Sequence, residues 1–177
     1  MSRLLVAFAV MLSLLAGGAA MAAQPTPVPD TAPDFSSMNF LIGTWHCNQA
    51  LAGRAGRKET DTYTMAYDGW QMQQHTVSPP FDKYRSRADV GDTFITWDPT
   101  IKLWVRQTVD NFGGYGLETS PGWAGDTMTW SGTNPDGTVN RTVITKVSDT
   151  KQTYKTFVNS KKGEPQTLGR SGTCTKS

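Results

Sequence analysis

The chain has 177 residues, among them 17 basic and 15 acidic residues, two cysteines and two histidines. That length is typical of one domain with flanking segments. The formal net charge of +2 is too small for a protein that binds nucleic acid by neutralising phosphates, so we expect no nucleic-acid partner. Two cysteines and two histidines at scattered positions are too few for an ordinary zinc site, and we expect no metal.

The first 22 residues have the features of a secretory signal peptide. Arg3 supplies the charge, residues 4–15 form an apolar run, and Ala20-Met21-Ala22 offers an A-x-A site for cleavage after Ala22 or Ala23. An uncleaved membrane anchor is the alternative, which the adjacent glycines and the cleavage site disfavour. We therefore expect a periplasmic or secreted protein with no membrane span after cleavage.

Residues 23–38 are rich in proline, which is typical of an extended tether and not of a packed core. The prolines are Pro25, Pro27, Pro29 and Pro33. The folded domain is accordingly predicted to occupy residues 39–177.

Short segments rich in Thr, Val, Tyr and Trp follow one another through this domain, separated by turn residues. The clearest turn is Asn134-Pro-Asp-Gly137. The basic run at 54–58 lies among turn-like residues and is interpreted as a solvated loop. This pattern predicts an all-β fold of antiparallel, mostly hairpin-connected strands. The predicted strands are 43–49, 60–67, 70–77, 92–98, 101–109, 114–119, 126–132, 138–147, 152–158 and 166–175.

About ten strands in so short a chain need a way to hide the edges of their sheet. Closure into a barrel removes the edges altogether. An exported chain with only Cys47 and Cys174 favours a disulfide between them. That bridge would join the first predicted strand to the last, which fits a closed antiparallel β-barrel.

The tripeptide Gly43-Thr-Trp45 on the first predicted strand resembles the calycin signature of lipocalin-like barrels. The resemblance implies that Gly43 allows a close approach of the chain and that Trp45 closes one end of the barrel. It also implies an arginine from the last strand stacked on the tryptophan, and Arg170 is the residue expected in that role.

A longer series of motifs resembles the bacterial family DUF1579, whose function is unknown. The series comprises Trp97-Asp-Pro, Lys102-Leu-Trp-Val, Asp110-Asn-Phe-Gly-Gly114 and Ser120-Pro-Gly-Trp-Ala-Gly-Asp126, together with a cysteine two residues after the first tryptophan. The similarity covers about residues 39–176. The related nitrobindin-like barrels bind haem through a histidine near the end of the barrel, but this chain has no histidine after His75. We therefore expect no such cofactor.

The two histidines are the first candidates for chemistry. His75 could point into the barrel as a ligand or a base, or it could be an ordinary hydrogen-bonded wall or surface residue. His46 follows Trp45 and is expected to point outward. If the protein were an enzyme, His75 with Asp110 or Arg106 at the mouth of the barrel would form its site.

Alternation along residues 101–109 places Trp104 and Arg106 on the same side of one strand. Facing inward, they would form an aromatic wall with one cation. Facing outward, they would be a pair on a solvated sheet, which is the favoured interpretation. The other lumen candidates lie mid-segment with apolar neighbours in step, and packing in the core is the alternative role for each of them: Tyr63, Tyr67, Trp130 and Tyr154.

By analogy with the fold, the predicted function is non-catalytic binding of a small apolar or amphipathic molecule within the barrel. An enzyme with its site in the barrel mouth is one alternative. A packed structural module of the cell envelope is another, and the absence of a ligand-sized cavity would favour it.

Overall fold

The structure is a computed structural model that describes residues 29–80, 86–134, 137–159, 161 and 163–177. The predicted signal peptide, residues 1–22, lies outside these ranges. Two short 3₁₀ helices occupy Ser36–Leu41 and Tyr67–Gly69. Within the described residues, no helix has the length and apolar character needed to cross a membrane. The strands are β1 (Gly43–Leu51), β2 (Arg54–Ala66), β3 (Gln71–Ser78), β4 (Asp89–Asp98), β5 (Leu103–Asp110), β6 (Tyr115–Ser120), β7 (Trp123–Ala124), β8 (Thr127–Thr133), β9 (Val139–Ser148), β10 (Lys151–Val158) and β11 (Thr167–Lys176).

The strands form one antiparallel sheet that closes on itself. Its order is β6-β5-β4-β3-β2-β1-β11-β10-β9-β8-β7, and an additional pairing joins β6 to β8. That pairing closes a barrel of ten strands, and the two-residue β7 pairs beside it on β8. The predicted all-β closed barrel is confirmed, and each of the ten predicted segments overlaps one of the longer strands.

An apolar plug closes the end of the barrel at which β1 begins. Phe35, Met38 and Leu41 in and beside the first 3₁₀ helix are buried, as is Trp45 of β1. The predicted boundary between tether and domain at residue 39 is therefore too late, because Phe35 and Met38 belong to the core. Proline content marked residues 23–38 as extended, but two apolar side chains are enough to fix its last turn in the barrel end.

Trp45 closes this end, as the calycin resemblance implied. Its side chain is fully buried and its indole N–H donates to the Leu41 carbonyl oxygen at 2.7 Å. Gly43 has φ of +117°, which favours glycine, and an added Cβ would lie 3.0 Å from Lys176 Cε.

The expected contact between Trp45 and Arg170 is wrong. The β1–β11 register places Lys176 opposite Trp45 and Arg170 opposite Leu51. Six residues of strand, roughly 20 Å, separate these two positions. The Lys176 ammonium nitrogen instead lies 5.8 Å from the centre of the Trp45 ring and donates to the Phe40 carbonyl oxygen at 2.9 Å.

The predicted disulfide between Cys47 and Cys174 is present. The two residues lie directly opposite one another on β1 and β11, with 4.0 Å between their Cα atoms. Both are buried inside the barrel. The bridge therefore fastens the first strand to the last across the seam of the barrel, as oxidising compartments allow.

Candidate functional site

The half of the lumen away from the plug is lined by polar and charged side chains. Along each strand every second residue faces inward, because successive side chains alternate between the two faces of a sheet. The inward-facing charged residues of this half are Arg57, Glu59, Asp61, Asp89, Arg106, Asp110, Glu118 and Arg170.

These residues surround a cavity with two parts. The mouth has a volume of about 390 Å³ and is reached at the end of the barrel opposite the plug. A recess of about 80 Å³ lies deeper, and Tyr63, Gln152, Tyr154 and Cys174 are among its walls. Mouth and recess share Glu59, Gln74, Arg106 and Arg170 as lining residues, so they form one continuous space.

Arg57 is the centre of the first ion-pair network in the mouth. Its guanidinium donates to Glu59 and to Asp89, each at 3.1 Å, and its Nε donates to Gln49 at 2.8 Å. Glu59 also accepts from the Ser78 hydroxyl at 3.2 Å. Glu59 and Asp89 therefore share the positive charge of one arginine, and each has the ionic partner that a buried charge requires.

Arg106 is the centre of the second network. Its Nε donates to Glu118 at 2.6 Å, and the Asn140 amide donates to the other oxygen of that carboxylate at 3.2 Å. The guanidinium lies 4.8 Å from the centre of the Trp130 ring, within range of a cation–π contact. Arg106 is therefore held by a carboxylate and an aromatic face at once.

Asp61 is the buried acid of the recess. Burial raises the pKa of Asp61 to about 6, and the nearby Glu59 charge adds to this, against hydrogen bonds from Thr76 and Gln74 that lower it. One of its oxygens lies 3.5 Å from Cys47 Sγ. The bridged sulfurs are not thiolates, which are the forms of cysteine that bind metals, so this cluster offers no metal site.

Replacing this acid tests its effect on stability. The pKa of Asp61 is 3.8 in the unfolded chain and about 6 in the folded protein. Between these two pH values the folded state holds a proton on Asp61 that the unfolded state has lost. The stability that this proton contributes is lost as pH rises through the folded pKa. Asp61→Asn cannot ionise and is expected to raise the free energy of unfolding at pH 8 by on the order of 2 kcal/mol.

The same variant should have nearly wild-type stability at pH 4, because both side chains are then neutral. Urea denaturation of both proteins at the two pH values measures the difference. An equal effect of the substitution at pH 4 and pH 8 would contradict the assignment.

Two buried polar groups facing the recess lack the hydrogen-bond partners that most buried polar groups have, and Arg170 beside them lacks a carboxylate partner. The Tyr154 hydroxyl and the side-chain amide oxygen of Gln152 are buried and form no hydrogen bond with any described residue. Arg170 donates from Nε to Thr156 at 3.2 Å, and no described carboxylate lies within ion-pair distance of its guanidinium. The Tyr154 ring packs closely on Gly172, where an added Cβ would clash with it at 2.5 Å.

Of the predicted ligand contacts, Tyr63, Arg106 and Tyr154 line the recess. Trp104 and Trp130 also face inward and are buried, but Trp104 belongs to the plug, where it packs on Phe35 and Trp97. The favoured outward placement of Trp104 and Arg106 is therefore wrong. A role for these residues in ligand binding stays a prediction.

Two predicted lumen residues face solvent instead. His75 lies on the outer face of β3, with 46% of its side chain exposed, and pairs with Asp92 at 2.9 Å. Tyr67 is 67% exposed, because β2 ends at Ala66 and the following 3₁₀ turn breaks the alternation. Asp110 lies on the opposite side of the sheet from His75 and accepts from the backbone N–H groups of Phe112 and Gly114. His75 and Asp110 therefore form no joint site. His46 is exposed, as expected.

Sequence reasoning missed most of the charged lining. The basic run at 54–58 predicts a loop, yet Arg57 lies on β2 and faces inward. The alternation of side chains indicates this placement. If Tyr63 faces the lumen, then Asp61, Glu59 and Arg57, which precede it in steps of two residues, face the lumen as well. The same count from Cys174 gives Arg170.

No family model matches this chain, and no curated protein matches it either. The resemblance to DUF1579, which rests on the motifs between Trp97 and Asp126, stays a prediction.

Proposed function

We propose that this protein is an exported, non-catalytic binding protein that holds a small molecule in the open half of its barrel. The observation that carries the proposal is the cavity itself. Its mouth, at about 390 Å³, falls in the usual range of ligand pockets, about 300–1,000 Å³. A fully packed structural module would leave no space of this size, so the cavity disfavours that alternative.

The lining favours an amphipathic or polar ligand over a purely apolar one. Eight charged side chains face the mouth and recess, while Tyr63, Tyr154 and Ile144 give the recess its apolar surface. A hydrocarbon would leave the recess groups without partners, and an unpaired buried polar group costs about 1–3 kcal/mol. A molecule with hydrogen-bonding groups and a small apolar part fits these walls.

The enzyme alternative loses the residue on which it depended. His75 lies on the outer surface, and its partner Asp92 is also outside the lumen. The described lumen holds ion pairs, amides and hydroxyl–carboxylate hydrogen bonds, and neither histidine of the chain lines it. Binding is the function that these groups support best.

Export and family membership are parts of the same proposal. The Cys47–Cys174 disulfide fits an oxidising compartment such as the periplasm or the cell exterior. The features of residues 1–22 support a signal peptide. The closed barrel is the fold that the resemblance to the lipocalin-like barrels and to DUF1579 implied.

Filling the mouth tests the proposal. Gly116 on β6 lines the mouth, and a Cβ added there would have no atom within 4 Å. Gly116→Phe therefore places a ring in the cavity without a backbone clash. Leu117→Phe is the matched control, because Leu117 is the next residue and is 60% exposed on the outer face.

Thermal unfolding is measured for the three proteins in fractions of a small-molecule extract from the expression host. A ligand at 100 times its Kd stabilises the folded state by about 2.7 kcal/mol. We expect one or more fractions to stabilise the wild type and L117F and not G116F. Equal stabilisation of G116F, or stabilisation of none of the proteins by any fraction, would contradict binding in the lumen.

A further inference from the structure

Arg170 differs from the other two arginines of the described lumen in its partners. Arg57 is paired with Glu59 and Asp89, and Arg106 is paired with Glu118. Arg170 has one hydrogen bond, from Nε to the Thr156 hydroxyl, and lies 6.0 Å from the Tyr154 ring. The outer edge of its guanidinium is therefore the part of the lining best placed to take an anion.

The two glutamates near Arg170 are paired with other arginines. Glu59 pairs with Arg57, which it shares with Asp89, and Glu118 pairs with Arg106. Asp61 has a raised pKa and is neutral in mild acid. The groups that face it are Cys47 on β1, Glu59 and Tyr63 on β2, Gln74 and Thr76 on β3 and Arg170 on β11. Arg170 is then the arginine of the described lumen that has no carboxylate partner.

The unpaired neutral groups add a second requirement. The Tyr154 hydroxyl can donate a hydrogen bond, whereas the side-chain amide oxygen of Gln152 can only accept one. Gln152 and Tyr154 are two residues apart on β10, so they face the same side, and Thr156 below them pairs with Arg170 of β11. Anion-binding and donor-binding groups therefore lie in one row along the recess.

We propose that the recess binds a small carboxylate that also carries a hydrogen-bond donor, an inference that rests on the proposed lumen binding. Arg170 and the Tyr154 hydroxyl hold the carboxylate, and the side-chain amide oxygen of Gln152 accepts from the donor. The planar fork of a guanidinium matches a carboxylate in two parallel hydrogen bonds. A phosphate dianion would bring a second charge towards Glu59 and Asp61, so a monoanion is favoured. Inorganic phosphate is itself mostly a monoanion at pH 5.5 and therefore serves as a competing probe. At about 80 Å³, the recess holds the acid end, and any longer tail lies in the mouth.

Three matched probes separate the two requirements: 3-hydroxybutyrate, its neutral amide 3-hydroxybutyramide, and butyrate, which lacks the donor. Titration of the oxidised protein at pH 5.5 is followed by NMR chemical shifts. We expect the hydroxy acid to bind about tenfold or more tightly than the amide, which cannot form the charge-assisted hydrogen bonds to Arg170. We expect it to bind about threefold or more tightly than butyrate, which lacks only the neutral donor to Gln152.

Variants assign the effect to Arg170. Arg170→Gln should weaken 3-hydroxybutyrate about tenfold or more, and Arg170→Lys should weaken it less because it keeps the charge without the fork. Arg141→Gln removes the same charge from the outer face, where Arg141 stacks on Phe157, and should leave the affinity within about twofold. Thermal melts of all variants report whether the fold is retained.

Equal binding of acid and amide, unchanged affinity in R170Q, an equal loss in R141Q, tighter binding of inorganic phosphate, or no binding of any probe would each overturn the inference. None of these results would decide the proposed function, because the comparison of G116F with L117F does not depend on ligand charge. Stabilisation by extract fractions together with failure of the three probes would retain lumen binding and reject the carboxylate.

Discussion

Removing the disulfide, in the double variant C47A/C174A, is expected to lower the free energy of unfolding by about 3–5 kcal/mol. The bridge closes a loop with a sequence separation of 127 residues and joins the two strands that form the seam of the barrel. In the chain-entropy model so long a loop gives nearly the largest effect that one disulfide can have. Alanine is used because both positions are buried and a serine hydroxyl would need a partner.

Urea denaturation of the oxidised wild type, the wild type kept reduced by a trialkylphosphine, and the double variant measures this effect. The reduced wild type and C47A/C174A should unfold at similar urea concentrations, well below the oxidised protein. A difference of less than about 1 kcal/mol between oxidised and bridge-free proteins would mean that the β1–β11 seam is held by its ladder alone.

Trp45→Ala is expected to cost about 3–5 kcal/mol, the usual range for removing a buried tryptophan. Trp45 is fully buried, packs edge-on against Phe40 and donates to the Leu41 carbonyl oxygen. Its loss leaves a cavity and removes the hydrogen bond and ring contact by which β1 holds the 3₁₀ helix in the barrel end. Trp45→Phe keeps most of the ring and should cost less.

The control for this prediction is Trp123→Ala. Trp123 belongs to the same end of the barrel and packs on Phe40, but it is only partly buried and its indole N–H has no partner among the described residues. Urea denaturation should place W45A clearly below W123A in stability, and hydrogen exchange at residues 36–41 should increase in W45A. A cost of W45A no greater than that of W123A would contradict the role of Trp45 in closing the barrel.

The strands could be predicted from the sequence because their signals are local. Alternation and turn residues act within a few positions, so segments such as 101–109 and 126–132 were located to within a few residues. Tyr67 shows the limit of that reasoning. Period 2 counts correctly only while the strand lasts, and β2 ends one residue earlier.

The direction in which each face points could not be predicted by hydropathy, because the open half of this barrel reverses the usual pattern. On β5 the outward set includes Leu103, Val105 and the exposed Val109, while Arg106 and Asp110 face inward. Hydropathy therefore predicts that the apolar face is the packed one, which is wrong for this strand. Ion pairs between β2 and β4 and between β5 and β6 make the charged lining tolerable, and such partners become visible only when the strands are paired.

The strand-pairing register and the face of each strand also explain why two predicted contacts are absent. Arg170 is on the expected strand, but the seam is in register with Lys176 at Trp45, so Arg170 reaches the recess instead. His75 is one residue away from Gln74, which does line the cavity. A shift of one residue turns a side chain to the other face of a sheet, and sequence alone did not fix this choice.

Comparison of native and denaturing mass spectra of the unreduced protein from a bacterial host tests the central claim, that the lumen holds a small molecule, most directly. The account predicts a chain that has lost about two mass units to the disulfide and that carries an additional, dissociable mass under native conditions in the wild type and L117F, absent from G116F. A wild-type protein with the mass of the bare chain in both spectra, before and after incubation with host extract, would contradict it.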